Sequence, residues 1–279
     1  MIQKSYDGSP CLYLIPTPIG NLEDITIRAL NCLKSVDFLL CEDTRETGIL
    51  LKNYDIHTKL VSCHEYNESK IVDMVISSLK EGKNIGLVTD QGTPIISDPG
   101  FIISRSVIEN GYNVISLPGP TAFVPALTIS GLNPSPFLFY GFLHNRGNKQ
   151  LAELDSLKAY PYTIIFYESV HRLKNMLENL LNVFGNRSIA LCRELSKIHE
   201  EVIRGNISDV ISSVDTLKGE FVIIVEGNQC VTDFSSLDVI DHVKLYVEDG
   251  ISEKDAIKIV AKERNVAKSV IYQEYHNRK

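Results

Sequence analysis

Val88-Thr89-Asp90-Gln91-Gly92-Thr93-Pro94-Ile95-Ile96-Ser97-Asp98-Pro99-Gly100 is the stretch that decides the fold. An apolar, strand-like run from Ile85 to Thr89 empties into it, and a helical pattern resumes at Phe101. Glycine lets backbone groups approach a ligand, proline stiffens the loop, and the Asp, Thr and Ser side chains offer hydrogen bonds. A bare turn needs one Gly and one Pro, whereas this loop carries two of each. In open α/β sheets, ligands sit beyond the carboxyl ends of strands, so the segment reads as a strand, a ligand loop and a helix.

The same design recurs on either side. Ile15-Pro16-Thr17-Pro18-Ile19-Gly20-Asn21 follows the strand-like run Leu12–Ile15, and Leu117-Pro118-Gly119-Pro120-Thr121-Ala122 follows Asn113–Leu117. Val36–Cys41 is a further run, and amphipathic patterns such as Ile71, Val72, Val75, Ile76 and Leu79 lie between them. Strands alternating with helices predict an α/β fold built on a mainly parallel sheet. A second series follows at Phe137–Phe142, Thr163–Tyr167, Ser188–Arg193 and Phe221–Val225, with a helical pattern through Leu173, Met176, Leu177 and Leu180. The Pro/Gly/Asn-rich segment from Ser130 to Pro136 separates the series. Two α/β domains, 11–131 and 137–227, are therefore expected, with a cleft between them as the small-molecule site. Residues 234–279 read as a third, helical segment. Three short helical patterns fall at about 237–249, 253–263 (N-cap Ser252) and 267–276; the last two flank a short turn and resemble a helix-turn-helix, and Ile257, Ile259, Val260, Val266, Val270, Ile271 and Tyr272 are the expected mini-core.

Composition sets the limits. The chain has 279 residues, 44% apolar and 23% charged, as in globular proteins. No run approaches the roughly 18 apolar residues of a membrane span, and Met1 to Pro10 lacks a signal pattern, so a cytoplasmic protein without membrane partners is expected. The scattered cysteines at 11, 32, 41, 63, 192 and 230 show no C-x-x-C spacing, which favours buried thiols over disulfides or zinc. No metal is expected, because His64-Glu65-Tyr66-Asn67-Glu68 lacks the spacing of zinc enzymes. The net charge of −7 argues against wholesale nucleic-acid binding, yet residues 254–279 carry a local excess of +4. G-x-G-x-x-G is absent, so a dinucleotide site finds no support.

Taken together, TPIGNLEDIT (17–26), CEDTR (41–45), HEYNE (64–68), DQGTPIISDPG (90–100), PGPTA (118–122), FYESVHRL (166–173), RELSK (193–197) and GEFVIIVEG (219–227) resemble the tetrapyrrole methylase superfamily. More closely, they resemble its branch of type I small-subunit ribosomal RNA methyltransferases. The resemblance implies two α/β domains, usually as a homodimer, that bind S-adenosylmethionine in the cleft between them. It assigns Pro18, Gly20, Asp90, Gly92, Thr93, Pro94, Ser97, Thr121, Ala122 and Tyr167 to the cofactor. The implied reaction is 2′-O-methylation of a cytidine ribose in the decoding region of 16S ribosomal RNA, and an assembled small subunit is the expected substrate. Gln91, His144 and Val170 depart from the branch pattern, and Gln91 lies in the cofactor loop itself.

A ribose hydroxyl is a poor nucleophile, so a base in the cleft is expected, either Glu42 or Glu168. Arg45, Arg172 or Lys197 would hold the neighbouring phosphate, with Lys254, Lys258, Lys262, Arg264 and Lys268 docking RNA. The rival readings are methylation of a small tetrapyrrole on the same fold, and a donor-binding, ribosome-associated module without catalysis.

Overall fold

The computed structural model describes residues 3–5, 7–64, 67–214, 216–229, 237–248, 250–264 and 266–277. Glu65, Tyr66, Cys230, Arg278, Lys279 and the start of the expected C-terminal segment (234–236) lie outside the described residues. The chain divides into two units: Met1–Lys158 with Tyr162–Gly227, and Ala159–Pro161 with Asn228–Lys279.

The larger unit opens with a sheet of five parallel strands: β1 (Cys11–Leu14), β2 (Phe38–Cys41), β3 (Lys59–Ser62), β4 (Ile85–Leu87) and β5 (Asn113–Ser116). They run in the order β3-β2-β4-β1-β5. Between them lie α1 (Ile27–Ser35), α2 (Thr44–Asn53), α3 (Glu68–Lys80) and α4 (Phe101–Glu109), with α5 (Phe123–Ser130) after β5. Side chains that alternate along a strand face opposite layers. Leu39 and Cys41 of β2 pack with Ala29 and Leu33 of α1, whereas Phe38 and Leu40 join Val75, Leu79, Ile103 and Val107 of α3 and α4. Each fully buried Leu or Ile stabilises the fold by about 1.5–3 kcal/mol. The helices start where side chains satisfy orphan amides: Thr26 Oγ1 accepts from Ala29 N–H, and Asp43 Oδ1 from Arg45 N–H. Glu68 is buried because its Oε1 accepts from Ile103 N–H in the first turn of α4.

The second sheet is mixed, a departure from the mainly parallel expectation. Its strands β6 (Phe137–Phe142), β7 (Thr163–Ser169), β8 (Ser188–Arg193), β9 (Glu201–Asn206) and β10 (Glu220–Val225) run in the order β6-β7-β10-β8-β9. Only β6 and β7 are parallel. A hairpin joins β8 to β9, and β10 inserts antiparallel between β7 and β8. The helices are α6 (Gly147–Leu157), α7 (Val170–Phe184) and α8 (Ile207–Ile211), and α7 buries Leu173, Met176, Leu177 and Leu180 as its periodicity predicts.

Helix α5 ties the sheets together. Ala126 and Leu127 pack on Ile165, Ala190, Cys192, Val222 and Ile224 of the second sheet. Arg204 Nε of β9 donates to the carbonyls of Ile129 and Ser130 in the last turn of α5. A boundary at residue 131 thus falls after a helix that belongs by sequence to the first series and by packing to the second. Cys11, Cys32, Cys41, Cys63 and Cys192 are buried free thiols. No helix among the described residues is long and apolar enough to cross a membrane.

The smaller unit holds α9 (Val239–Glu248), α10 (Glu253–Glu263) and α11 (Lys268–Asn277), and the Ser252 side chain caps α10 by accepting from Asp255 N–H. Its core is Val239, Val243, Ala256, Ile257, Val260, Ala261, Ile271 and Tyr275. Val270 and Tyr272, expected inside, are exposed, because α11 turns the face of Ile271 and Tyr275 inward instead, and Val266, also expected inside, is exposed in the turn before α11.

His242, fully buried, sits at the centre of this bundle. Arg264 Nε donates to its Nδ1 at 3.1 Å, Glu263 Oε2 lies 3.0 Å from its Nε2, and the Tyr246 hydroxyl donates to Glu263 Oε1. Burial lowers its proton affinity, Glu263 opposes that, and Arg264 reinforces it. The unfolded chain therefore protonates first on acidification. The stability of the bundle is complete above the ordinary histidine value of 6.5 and falls as pH drops through the depressed folded value. Amides of α9 and α10 in the full chain should lose hydrogen-exchange protection at pH 5 relative to pH 7, after correction for intrinsic rates, and equal protection would contradict this.

Candidate active site

Three loops at the carboxyl end of the first sheet are stitched to one another. Thr17 and Gly92 exchange backbone hydrogen bonds of 2.9 and 3.0 Å, joining 16–21 to 90–100. Thr93 Oγ1 donates to Pro120 O at 2.9 Å, joining 90–100 to 118–122. Gly119 closes the triangle by packing against the Pro16 ring. Ile95 and Ser97 hold φ of 76° and 68°, a region costly for side-chain-bearing residues and most of all for β-branched isoleucine.

A cavity of about 470 Å³ opens between these loops and the second sheet, within the range of about 300–1,000 Å³ for small-molecule sites. The first-sheet wall includes Ile19, Glu42, Asp90, Gly92, Thr93, Ser97, Asp98, Thr121 and Ala122. The facing wall includes Phe142, Tyr167, Glu168, Ser169, Cys192, Leu195 and Glu220. The Tyr167 hydroxyl accepts from Phe123 N–H at the start of α5, and burial raises its proton affinity. Glu168 is 2% exposed. Its Oε1 pairs with Arg172 at 2.7 Å and accepts from Ser169 N–H, while no hydrogen-bond partner among the described residues reaches Oε2. A buried carboxylate oxygen without a partner is costly, and a ligand N–H or O–H would relieve that cost.

The sequence-derived candidates fall into groups. Asp90, Gly92, Thr93, Ser97, Thr121, Ala122, Tyr167, Glu42 and Glu168 meet on the cavity wall. Pro18, Gly20 and Pro94 are not among the residues that line it. Gly20 matters through close approach, since a side chain there would collide with the Lys197 stem. Lys197 itself pairs with Glu194 and Glu220, and Ser196 Oγ donates to Asp24, so RELSK clamps the second sheet to the first. Arg45 turns to Asp43 at 2.6 Å, holding that carboxyl down to about 2, and lies outside the cavity lining, 86% exposed. In the smaller unit Lys254, Lys258, Lys262 and Lys268 are exposed, whereas Arg264 is half-buried against His242 and the Leu237 carbonyl.

Sequence reasoning missed Phe142, Cys192, Leu195, Glu220 and above all Asp98. Burial pushes the Cys192 thiol up to about 12, which excludes it as a nucleophile. Asp98 lay in the quoted loop, where its polar side chain was the only signal.

Residues 11–211 match the family Tetrapyrrole (Corrin/Porphyrin) Methylases. The chain is 46% identical to the ribosomal RNA small subunit methyltransferase I of Bacillus subtilis over 98% of each chain. It is 39% identical to the protein of that name from Escherichia coli O157:H7, over 97% of this chain and 96% of the relative. Among solved structures, a uroporphyrin-III-C-methyltransferase from Thermus thermophilus superposes with a TM-score of 0.56 at 22% identity, covering 77% of this chain and 94% of its own. That likeness concerns the fold. The two-sheet architecture, the loops joined at one cavity and the near-full-length identity agree: this chain belongs to the tetrapyrrole methylase family, in the group of the ribosomal RNA small subunit methyltransferases I.

Proposed function

We propose that this chain is an S-adenosylmethionine-dependent methyltransferase that modifies the 2′-hydroxyl of a cytidine in the decoding region of 16S ribosomal RNA. One observation carries the reading. The likeness to relatives named for small-subunit ribosomal RNA methylation runs over 98% of the chain, the C-terminal unit included, whereas the solved tetrapyrrole enzyme covers 77%. The assembled small subunit is the natural substrate for a protein of net charge −7 whose excess positive charge is confined to one end. Phe101, Ile102 and Ile108, exposed along α4, support the expected homodimer. The cytoplasm is where such a subunit is met.

The residues present suit the donor. S-adenosylmethionine supplies a methyl group on a cationic sulfonium sulfur. The Asp90, Asp98 and Glu42 carboxylates on one wall complement that charge, and Glu168 Oε2 on the other offers an acceptor. The 90–100 and 118–122 loops would cradle the donor, while Phe142, Tyr167 and Leu195 exclude water. Fixing the hydroxyl in line with the methyl carbon supplies most of the acceleration. Its proton leaves to a wall carboxylate, for which Glu42 and Glu168 are both in place.

The protein and labelled donor are incubated with small subunits lacking the modification and, in parallel, with a tetrapyrrole, and the label is located. Label on one cytidine ribose, lost when that residue is 2′-deoxy, is the expected result. Label on a tetrapyrrole alone supports the rival enzyme. Donor binding without transfer to either substrate leaves a non-catalytic module. Both refute the proposal.

A further inference from the structure

The core of the smaller unit takes Ile271 and Tyr275 from α11 and leaves Tyr272 outside, 52% exposed. That ring is braced. It rests on the His276 ring, with centroids 4.3 Å apart and planes at 59°. His276 is itself held twice: its Nε2 lies 3.6 Å from Glu253 Oε1 at the start of α10, and its ring stands edge-on to buried Tyr275 at 5.4 Å. Tyrosine has few side-chain torsions, so a ring positioned in this way loses little entropy when a partner covers it.

The neighbours of Tyr272 on the helix surface select that partner. Lys268, Tyr272 and His276 recur every four residues and form one stripe, with Ser269 beside it, and all are exposed. Val270, also exposed, projects about 160° around the helix from Tyr272, so the stripe carries no aliphatic residue. A face that docks on a second copy of the chain is a contiguous apolar patch. A single flat ring between a lysine and a histidine instead suits an unpaired base, which stacks on the ring while the ammonium meets a phosphate. Residues 254–279, which include the stripe, carry a local excess of +4.

We infer that Tyr272 is a stacking platform for an unpaired base of the RNA substrate, with Lys268 on the adjoining phosphate. The inference rests on the ribosomal RNA reading above and adds to it a contact made through the face of a base. The two contributions separate by salt. Each phosphate contact adds to the salt slope of binding, whereas stacking on a neutral ring neutralises no phosphate.

The test uses the full chain. In filter binding to undermethylated small subunits, Tyr272→Ala should lower affinity by about 5–150-fold at every salt concentration, with the slope unchanged. Tyr272→Phe should bind within about threefold of wild type, while Tyr272→Leu, apolar but not flat, should fall with the alanine variant. Lys268→Gln should instead lower the slope by about 0.7–0.9. The chain contains no tryptophan, so Tyr272→Trp supplies a single reporter at this position. Its fluorescence should be quenched when a protein-free, single-stranded RNA of the decoding region binds. The platform is overturned if Tyr272→Ala keeps wild-type affinity, if Tyr272→Leu binds as well as Tyr272→Phe, or if the tryptophan stays bright in the RNA complex. Loss of self-association in sedimentation of Tyr272→Ala, with RNA affinity intact, gives the face to a second copy and overturns it as well. If the alanine and leucine variants fail to fold, the quenching decides. RNA binding without methyl transfer by the wild-type protein refutes the methyltransferase reading and leaves the platform standing, whereas no RNA binding at all refutes both.

Discussion

Replacing Lys254, Lys258 and Lys262 together by glutamine should weaken RNA binding about 10²-fold at 0.15 M salt and leave donor affinity unchanged. The three lysines recur every four residues along α10, so they form one stripe, and each is exposed while Ala256, Ile257 and Val260 face inward. Every phosphate neutralised releases counterions and adds about 0.7–0.9 to the slope of log affinity against log salt. Losing three contacts should lower that slope by roughly 2–3, and the affinity loss follows from it. Lys258 also pairs with Asp255 at 2.8 Å, an exposed contact worth about 0–1 kcal/mol, so the bundle should stay folded. Arg264 is excluded from the set because its guanidinium holds His242 and the Leu237 carbonyl, and its loss would disturb the bundle. Filter binding across a salt series with undermethylated small subunits, alongside calorimetry with the donor, gives the answer. An unchanged slope would remove α10 from the RNA interface.

Much of the fold and site was legible because its signals are local. Gly and Pro punctuate the loops after β1, β4 and β5, and all three loops contribute to one cavity. Strands β3 and β9 were not legible. Both are edge strands with polar, exposed positions such as Lys59, Ser62, Glu201 and Asn206, so neither shows a buried apolar run. The antiparallel insertion of β10 was equally hidden, since strand direction depends on where connections cross and an apolar run reads alike both ways. Arg45 shows the limits of composition near a site: a guanidinium after CED suggests phosphate, but the neighbouring Asp43 carboxylate takes it first. The proton affinity of Asp98 is raised first by burial and then by the charge of Glu42 from the end of another strand, surroundings created only by folding. Val270 and Tyr272 misled for the opposite reason. Both faces of α11 carry apolar residues, so periodicity alone did not fix which one turns inward.

The close approach of Gly119 to Pro16 carries the second large effect. A methyl group added at Gly119 would lie 2.6 Å from Pro16 Cβ and 2.9 Å from Cγ. A change of ring pucker moves Cγ but leaves Cβ nearly in place, so the two loops must part. Parting them pulls on the Thr17–Gly92 pair and the Thr93–Pro120 hydrogen bond, which set the cavity wall. Overpacking of this kind costs about 1–3 kcal/mol, and a displacement of about 1 Å can cost on the order of 10² in rate. Gly119→Ala should therefore lower the urea midpoint and weaken donor binding at least tenfold, with a larger loss in single-turnover rate. Pro16→Gly removes the atoms in the way, so the double variant Pro16→Gly/Gly119→Ala should regain donor affinity relative to Gly119→Ala alone, although the glycine itself costs stability. Donor affinity in Gly119→Ala equal to wild type would mean that contact between the first and third loops does not shape the site. Additive losses in the double variant would trace the defect to something other than the Pro16 ring.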